Sequence, residues 1–351
     1  MIRSAEQFRN KITAVQFLLS VGIVYQHTVW NYRENPILNA GQSFLFYLIE
    51  TCVPFFFMIS GYLFFRTYDK SKWKEKMLSR VRTLLIPYMV WNAIYTLFMV
   101  TLKRIGLISN LTISDNLGGG GVILQLINSE FSPLWFVKYL MVFTLIAPIM
   151  HYVLGHRIAG ALAIGVMIIL NAWSFYSGIM QIPINVNANN LVMLNYQYIF
   201  YAVGAYGALN WKNVVERPSH RKCLIAMIFL ALLMLFYWGY AVKHGNAIIS
   251  HSFRLLYIIA LWFALDACST FNIYGWMKNS FFLYCSHLMV LQSVQRVCDI
   301  IIEMIGLIKP VLYVAEYIFL PMAIIGALVV VANLMRKYMP RTYGVLTGSR
   351  G

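Results

Sequence analysis

The sequence predicts an all-α integral membrane protein, a polytopic bundle of about ten transmembrane helices with both termini cytoplasmic. Three observations carry that expectation. Of 351 residues, 60% are hydrophobic and 11% charged, against about 25% charged in an ordinary soluble domain. Apolar runs close to the ~20 residues needed to cross a bilayer recur along the chain, with polar loops between them. The basic residues, finally, are sorted between alternate loops.

The apolar runs fall at 12–31, 43–65, 83–102, 133–154, 158–176, 191–209, 223–242, 248–268, 280–302 and 311–335. With the N-terminus placed inside, 20 of the 28 Lys and Arg residues lie in inside loops or at inside helix ends. That bias is the positive-inside pattern, so the net charge of +16 reports topology and not nucleic-acid binding. The five cysteines are scattered and odd in number, which gives neither a disulfide framework nor a CxxC metal site; no metal is expected. No cleavable signal is apparent: the first apolar run carries Gln16, Gln26 and His27 and lacks a small-x-small exit. The longest segment outside the spans, 103–132, contains Gly118 to Gly121, too flexible for regular structure. Residues 1–340 are therefore expected to form one membrane domain, with 341–351 a short cytoplasmic tail.

Three of these runs hold residues that carry chemistry. The first, around QFLLSVGIVYQHTVW from Gln16 to Trp30, sets the imidazole of His27 in the outer half of its helix. Lipid cannot solvate an ionisable side chain, so a histidine there either hydrogen-bonds a neighbouring helix or serves function. The second run holds Pro54, which lacks a backbone donor for the carbonyl of Glu50 and predicts a kink or local opening. Farther along, Ser60 and Gly61 are small enough for another helix to come close. The third run is preceded by the densest basic segment, Arg66 to Arg82. Those cations hold topology and touch anionic lipid, while Arg80 and Arg82, at the cytoplasmic mouth of the helix, have the guanidinium geometry to clamp a phosphorylated donor.

The ordered set of His27, VPFFFMISGYLFF, RVRTLLIPYMVW, Leu134-Trp135-Phe136-Val137 and SFFLYCSH ending at His287 resembles the acyltransferase family 3 membrane proteins. Each motif alone is weak; their order over residues 12–290 is specific. The resemblance implies transfer of an acyl group, usually acetyl, from cytoplasmic acetyl-CoA to a hydroxyl of a cell-surface or lipid-linked glycan, in the stand-alone form without an added hydrolase domain. It implies a multi-pass protein of the bacterial cytoplasmic (inner) membrane, with no permanently bound cofactor. His27 is then the catalytic base, since imidazole titrates near neutrality and accepts a proton from an attacking sugar hydroxyl. Arg80 and Arg82 become donor-binding residues.

One position departs from the family pattern. A basic residue usually stands eleven residues before the first-helix histidine, and here it is Gln16. Eleven residues at about 100° each return to nearly the same face, roughly 16 Å away along the axis, so Gln16 keeps a donor-side place but brings no charge. Further substrate-path candidates are Glu50, Trp135, Lys138, Arg254, Arg296, and the pair Tyr284 and His287, which matches the family's Tyr-x-x-His pattern. Lys138, Arg254 and Arg296 should face protein or water, lining the path or pairing with Glu50, Asp266 or Glu303. The amide-rich outer loop through 181–190 suits neutral sugar hydroxyls. The alternative from a different class is a transporter or flippase of a lipid-linked glycan, using the same buried polar groups for recognition and proton coupling.

The topology is directly testable. In a background without the native cysteines, Ser71→Cys should resist an impermeant thiol reagent in intact cells and react after permeabilisation, and Asn187→Cys should do the reverse. Labelling of Ser71→Cys from outside would invert the arrangement.

Overall fold

The computed structural model describes residues 2–28, 49–105, 132–177, 188–241, 247–270, 272–305 and 308–349. Among them all regular structure is helical. In chain order the helices are α1 (Ile2–His27), α2 (Cys52–Arg66), α3 (Trp73–Arg80), α4 (Ile86–Arg104), α5 (Trp135–Leu145), α6 (Ala147–Leu154) and α7 (Arg157–Ser177). There follow α8 (Ala188–Asn210), α9 (Lys212–Glu216), α10 (His220–Phe236), α11 (Ala247–Ala264), α12 (Ser280–Ile305), α13 (Lys309–Tyr338) and α14 (Pro340–Thr347).

Among the described residues, four helical segments are long and apolar enough to span a membrane: Lys70–Arg104, His220–Gly239, Ser252–Thr270 and Lys309–Tyr338. The pair α5 and α6, bent by 67°, makes a fifth if taken as one span. The fold is thus all-α with several spanning helices, and the expected ten are not all of this kind. The reason is compositional. α1 carries Lys11, Gln16, Gln26 and His27, and α12 carries His287, Gln295, Arg296 and Asp299. Two further apolar helices, Cys52–Arg66 and Arg157–Trp173, are shorter. The glycine run at 118–121 and the outer loop up to 187 lie outside the described residues.

The chain divides into two compact units. The first comprises residues 1–19, 51–73 and 142–273. Its centre is the contact of α2 with α8. A Cβ on Gly204 would lie 1.9 Å from the Met58 carbonyl oxygen, and one on Gly61 would lie 2.1 Å from that of Tyr201. Only residues without a side chain allow this approach, the device expected of Gly61 from the sequence. α2 begins at Cys52, so Pro54 lies in its first turn, where amides have no intrahelical partner and the missing donor costs nothing.

One end of this unit is tied by ion pairs. Lys11 is 1% exposed, yet its ammonium lies 2.6 Å from Asp266 and 3.7 Å from the centre of the Trp262 ring. The other Asp266 oxygen accepts the Ser219 amide at 3.0 Å. Arg66 forks onto Glu216 at 2.7 and 3.2 Å, and the Tyr62 hydroxyl donates to the same carboxylate at 2.9 Å. Phe8 lies between the two pairs, its ring against Trp262, Tyr62 and the Arg66 guanidinium. Lys11, counted above as a topology charge, is therefore a buried structural cation.

The second unit comprises residues 20–50, 74–141 and 274–351. Between α3 and α4 the backbone widens into a π-turn, Val81–Leu85, in which the Ile86 amide reaches back to the Val81 carbonyl. The cause is Pro87, which offers no donor to the Thr83 carbonyl and crowds it with its ring. Gly348 closes on that carbonyl: at φ +62°, a Cβ there would stand 2.4 Å from it. The segment expected as a tail thus includes the packed helix α14. The Trp91 indole donates to the Leu346 carbonyl at 2.9 Å, and the Tyr343 hydroxyl to Asn279 at 2.8 Å.

Breaking a buried ion pair on one side strands a charge, at about 3–5 kcal/mol, whereas replacing both partners by apolar groups is often tolerated. Lys11→Met should lower the unfolding temperature in detergent strongly, and Lys11→Met/Asp266→Leu should recover most of the loss. Equal melting of single variant and wild type would show that the pair carries no stability.

A candidate active site at the end of the first helix

The last two turns of α1 belong to the second unit and run beside α12. The Ser20 hydroxyl donates to the Ser280 carbonyl at 3.3 Å, and seven residues on, the rings of His27 and His287 face each other at 5.3 Å between centroids. Both contacts join positions 260 apart in the sequence, so the two helices run in the same direction in register for about 10 Å. On the other side of α1 the Tyr25 hydroxyl donates to the Ile318 carbonyl at 3.0 Å. That acceptor lies in the turn of α13 before Pro321, which removes the donor for the neighbouring Tyr317 carbonyl.

His287 is 0% exposed. Its Nδ1 lies 2.7 Å from the Tyr284 carbonyl and 3.2 Å from that of Leu283. A carbonyl only accepts, so in the neutral ring the proton sits on Nδ1 and the lone pair on Nε2. That Nε2 has no hydrogen-bond partner among the described residues. His27 is half-buried, its ring at a 41° tilt to that of His287.

The surroundings are polar groups held by main chain. The Tyr284 hydroxyl donates to the Pro133 carbonyl, and its ring packs on Phe136 and His287. From α4, the Tyr95 hydroxyl donates to the Cys285 carbonyl at 3.0 Å and accepts the Met289 amide at 3.3 Å, bridging the turn of α12 that bears His287. Asn92, one turn before Tyr95, accepts the Ser132 hydroxyl at 2.6 Å. Asn92, Tyr95 and Ser132 were missed in the sequence. Tyr88, Asn92 and Tyr95, spaced four and three apart in an apolar run, mark one helix face and were the available signal.

Of the predicted site residues, the structure brings His27, Tyr284 and His287 together. Trp135 is half-buried with its ring 5.6 Å from Tyr139, next to the Phe136 that packs on Tyr284. Lys138 and Glu50 are half-buried in the same unit, and Arg296 is exposed on α12. Arg80 ends α3 half-buried, and Arg82 is exposed on the π-turn. Gln16 and Arg254 belong to the first unit, where the Arg254 guanidinium donates to the Tyr196 hydroxyl at 3.0 Å. Of their expected counter-ions, Asp266 is held by Lys11, and Glu303 lies 2.5 Å from Lys309. Within the basic segment, the hydroxyl and then the amide of Ser71 hold the Asp69 carboxyl below its usual range. Among the described residues no cluster of His, Cys, Asp or Glu is arranged to hold a metal. A cavity of about 300 Å³ in the first unit, lined by Ile12, Met58, Tyr62, Gly207 and Trp262 among others, is almost wholly apolar and contains none of the predicted site residues.

A family model described as an acyltransferase domain, that of the acyltransferase 3 family, matches residues 9–335. The chain belongs to that family. The succinoglycan biosynthesis protein ExoH of Rhizobium meliloti (strain 1021) is 24% identical over a 380-residue alignment covering 97% of this chain and 92% of that protein. No solved structure matches. Family and helices together make the protein a multi-pass membrane acyltransferase and do not favour the transporter alternative.

Proposed function

We propose that the protein is an O-acetyltransferase of the inner membrane that moves an acetyl group from cytoplasmic acetyl-CoA to a hydroxyl of a cell-surface or lipid-linked glycan, with His27 as general base. The observation that carries this reading is the half-buried imidazole of His27 against a second, fully buried imidazole, in a chain of an acyltransferase family. The name of the succinoglycan biosynthesis relative supports a polysaccharide acceptor.

The chemistry asks little of the protein beyond a base and a place to hold two substrates. The acceptor oxygen attacks the thioester carbonyl; the new O–C bond forms and the C–S bond breaks. The hydroxyl proton passes to His27 and from there to the departing CoA sulfur. Imidazole suits both proton steps because its pKa lies near neutrality, and a positioned base contributes about 10²–10⁴-fold. Direct transfer needs no acyl-enzyme. The exposed Arg82 and the neighbouring Arg80 are assigned to the CoA phosphates, to which guanidinium groups donate bidentate, charge-assisted bonds.

His27→Asn keeps a polar group of similar reach but cannot accept and pass on a proton. It should lower turnover by about 10²-fold or more, while the purified protein still binds a CoA analogue. Near-normal transfer would remove His27 from the mechanism.

Arg82→Ala should weaken donor binding by about 1.5–3 kcal/mol, the worth of a hydrogen bond to a charged group, and leave acceptor binding unchanged. Equal effects on both substrates would return the segment to anchoring topology.

A further inference from the structure

Burying a histidine completely is costly unless its polar atoms are matched, because an unmet acceptor loses its bond to water and gains nothing. His287 meets half of that requirement. Its Nδ1 proton is held by the carbonyls of Tyr284 and Leu283 in its own helix, and these bonds fix both tautomer and ring plane. Nε2 is therefore an acceptor, buried in a 0% exposed side chain, without a partner among the described residues. The imidazole that packs against it is that of His27, 5.3 Å away between ring centroids.

That separation fits a specific contact. A ring nitrogen lies about 1.1–1.2 Å from its centroid, so an N–H···N bond of about 2.9 Å sets two imidazoles roughly 5.2 Å apart when they meet edge to edge. The ring of His287 is held by its carbonyl bonds, so only that of His27 need turn within its site, and the terminal torsion of a histidine is broad. The parallel register of α1 with α12, fixed by Ser20 and Ser280, supplies the spacing without further movement of the backbone.

We propose that His287 is a positioning residue for His27: its Nε2 accepts the N–H of the His27 ring and so presents the other His27 nitrogen, with its lone pair, to the acceptor hydroxyl. The inference rests on the reading of His27 as the base. His287 takes up no proton in this scheme. The hydroxyl proton goes to the free nitrogen of His27, the resulting imidazolium is steadied by the bond to His287, and the proton leaves with the CoA sulfur. Tyr284 and Tyr95 hold the arrangement from behind, the first through the carbonyl that orients His287, the second by bridging the same turn of α12.

Two substitutions separate this role from a merely structural one. Asn at 287 places its amide near the Nδ1 position, so it can still donate to the Tyr284 carbonyl but has no atom where Nε2 was. Gln is longer and brings a carbonyl oxygen to the Nε2 position. His287→Asn should therefore lower kcat about 10- to 100-fold, the range seen when a histidine loses the partner that orients it, with KM for both substrates unchanged. His287→Gln should restore most of kcat. Near-normal kcat in folded His287→Asn, or a rise in KM without loss of kcat, would overturn the proposal. If both variants are impaired, the double variant with His27→Asn decides. No further loss beyond His27→Asn alone supports action through His27, and independent losses that multiply refute it. His27→Asn measured in the same series keeps the two readings apart. Normal transfer in that variant refutes the base, whereas an inactive His27→Asn beside an active His287→Asn refutes only the positioning role. Detergent melting and gel filtration on every sample establish that each variant is folded.

Discussion

With no water in the hydrocarbon, every buried main-chain carbonyl that a helix leaves open must find a donor from the protein itself. In the second unit aromatic side chains are among the donors that main-chain carbonyls receive. Tyr25 donates to the Ile318 carbonyl, Tyr95 to that of Cys285, Trp91 to that of Leu346 and Tyr284 to that of Pro133. Each of these groups has an apolar body that packs like a core residue and one polar atom at its tip, so a single side chain fills volume and ties two segments together. A hydroxyl bonded in this way also fixes the height of one helix against the next. The setting of the paired imidazoles is a product of the same bonds that hold the unit together.

Local low dielectric favours a pair of imidazoles over a carboxylate at this buried position. A buried carboxylate beside His27 would orient it and stabilise its cation, but taking that charge out of water costs several kcal/mol unless excellent partners repay it. A neutral imidazole is far cheaper to bury, and in the proposed contact its buried, open lone pair still selects the tautomer of His27. In the proposed mechanism the cost is a weaker stabilisation of imidazolium, tolerable where the proton is held only between attack of the hydroxyl and departure of the thiol. In the first unit the two paired carboxylates each take more than one donor: Asp266 takes both the Lys11 ammonium and the Ser219 amide, and Glu216 takes Arg66 and Tyr62.

Residue type made part of this legible in the sequence. A histidine in an apolar run stands out, so His27 and His287 could be singled out, as could Gly61 as a site of close helix approach. What sequence patterning lacked was partnership. Lys11 reads as one more inside charge because Asp266, its partner, is 255 positions away. Asn92 and Ser132 read as ordinary span and loop residues until they meet. Among the described residues fewer helices than the expected ten are both long and apolar throughout, because segments such as α12 mix polar residues, some buried like His287 and Gln295, into an otherwise apolar run. Gln16, singled out by its departure from the family pattern, is half-buried on α1 in the first unit.

The register of α1 against α12 has little room for error. Successive residues of a helix turn by about 100°, so sliding or winding α1 by one position would swing His27 away from His287 and bring Gln26 or Thr28 toward it. Two contacts prevent this from opposite sides: Ser20 on the Ser280 carbonyl, and Tyr25 on the carbonyl of Ile318 in α13. A third, the Thr28 hydroxyl bonded back to the Val24 carbonyl at 3.1 Å, satisfies the last turn of α1 internally. The placement of the imidazole is thus set by two hydroxyl-to-carbonyl bonds to different helices, neither of which uses the imidazole itself. In the proposed role of His27 as base, such a division lets the imidazole change protonation state without loosening the bonds that aim it.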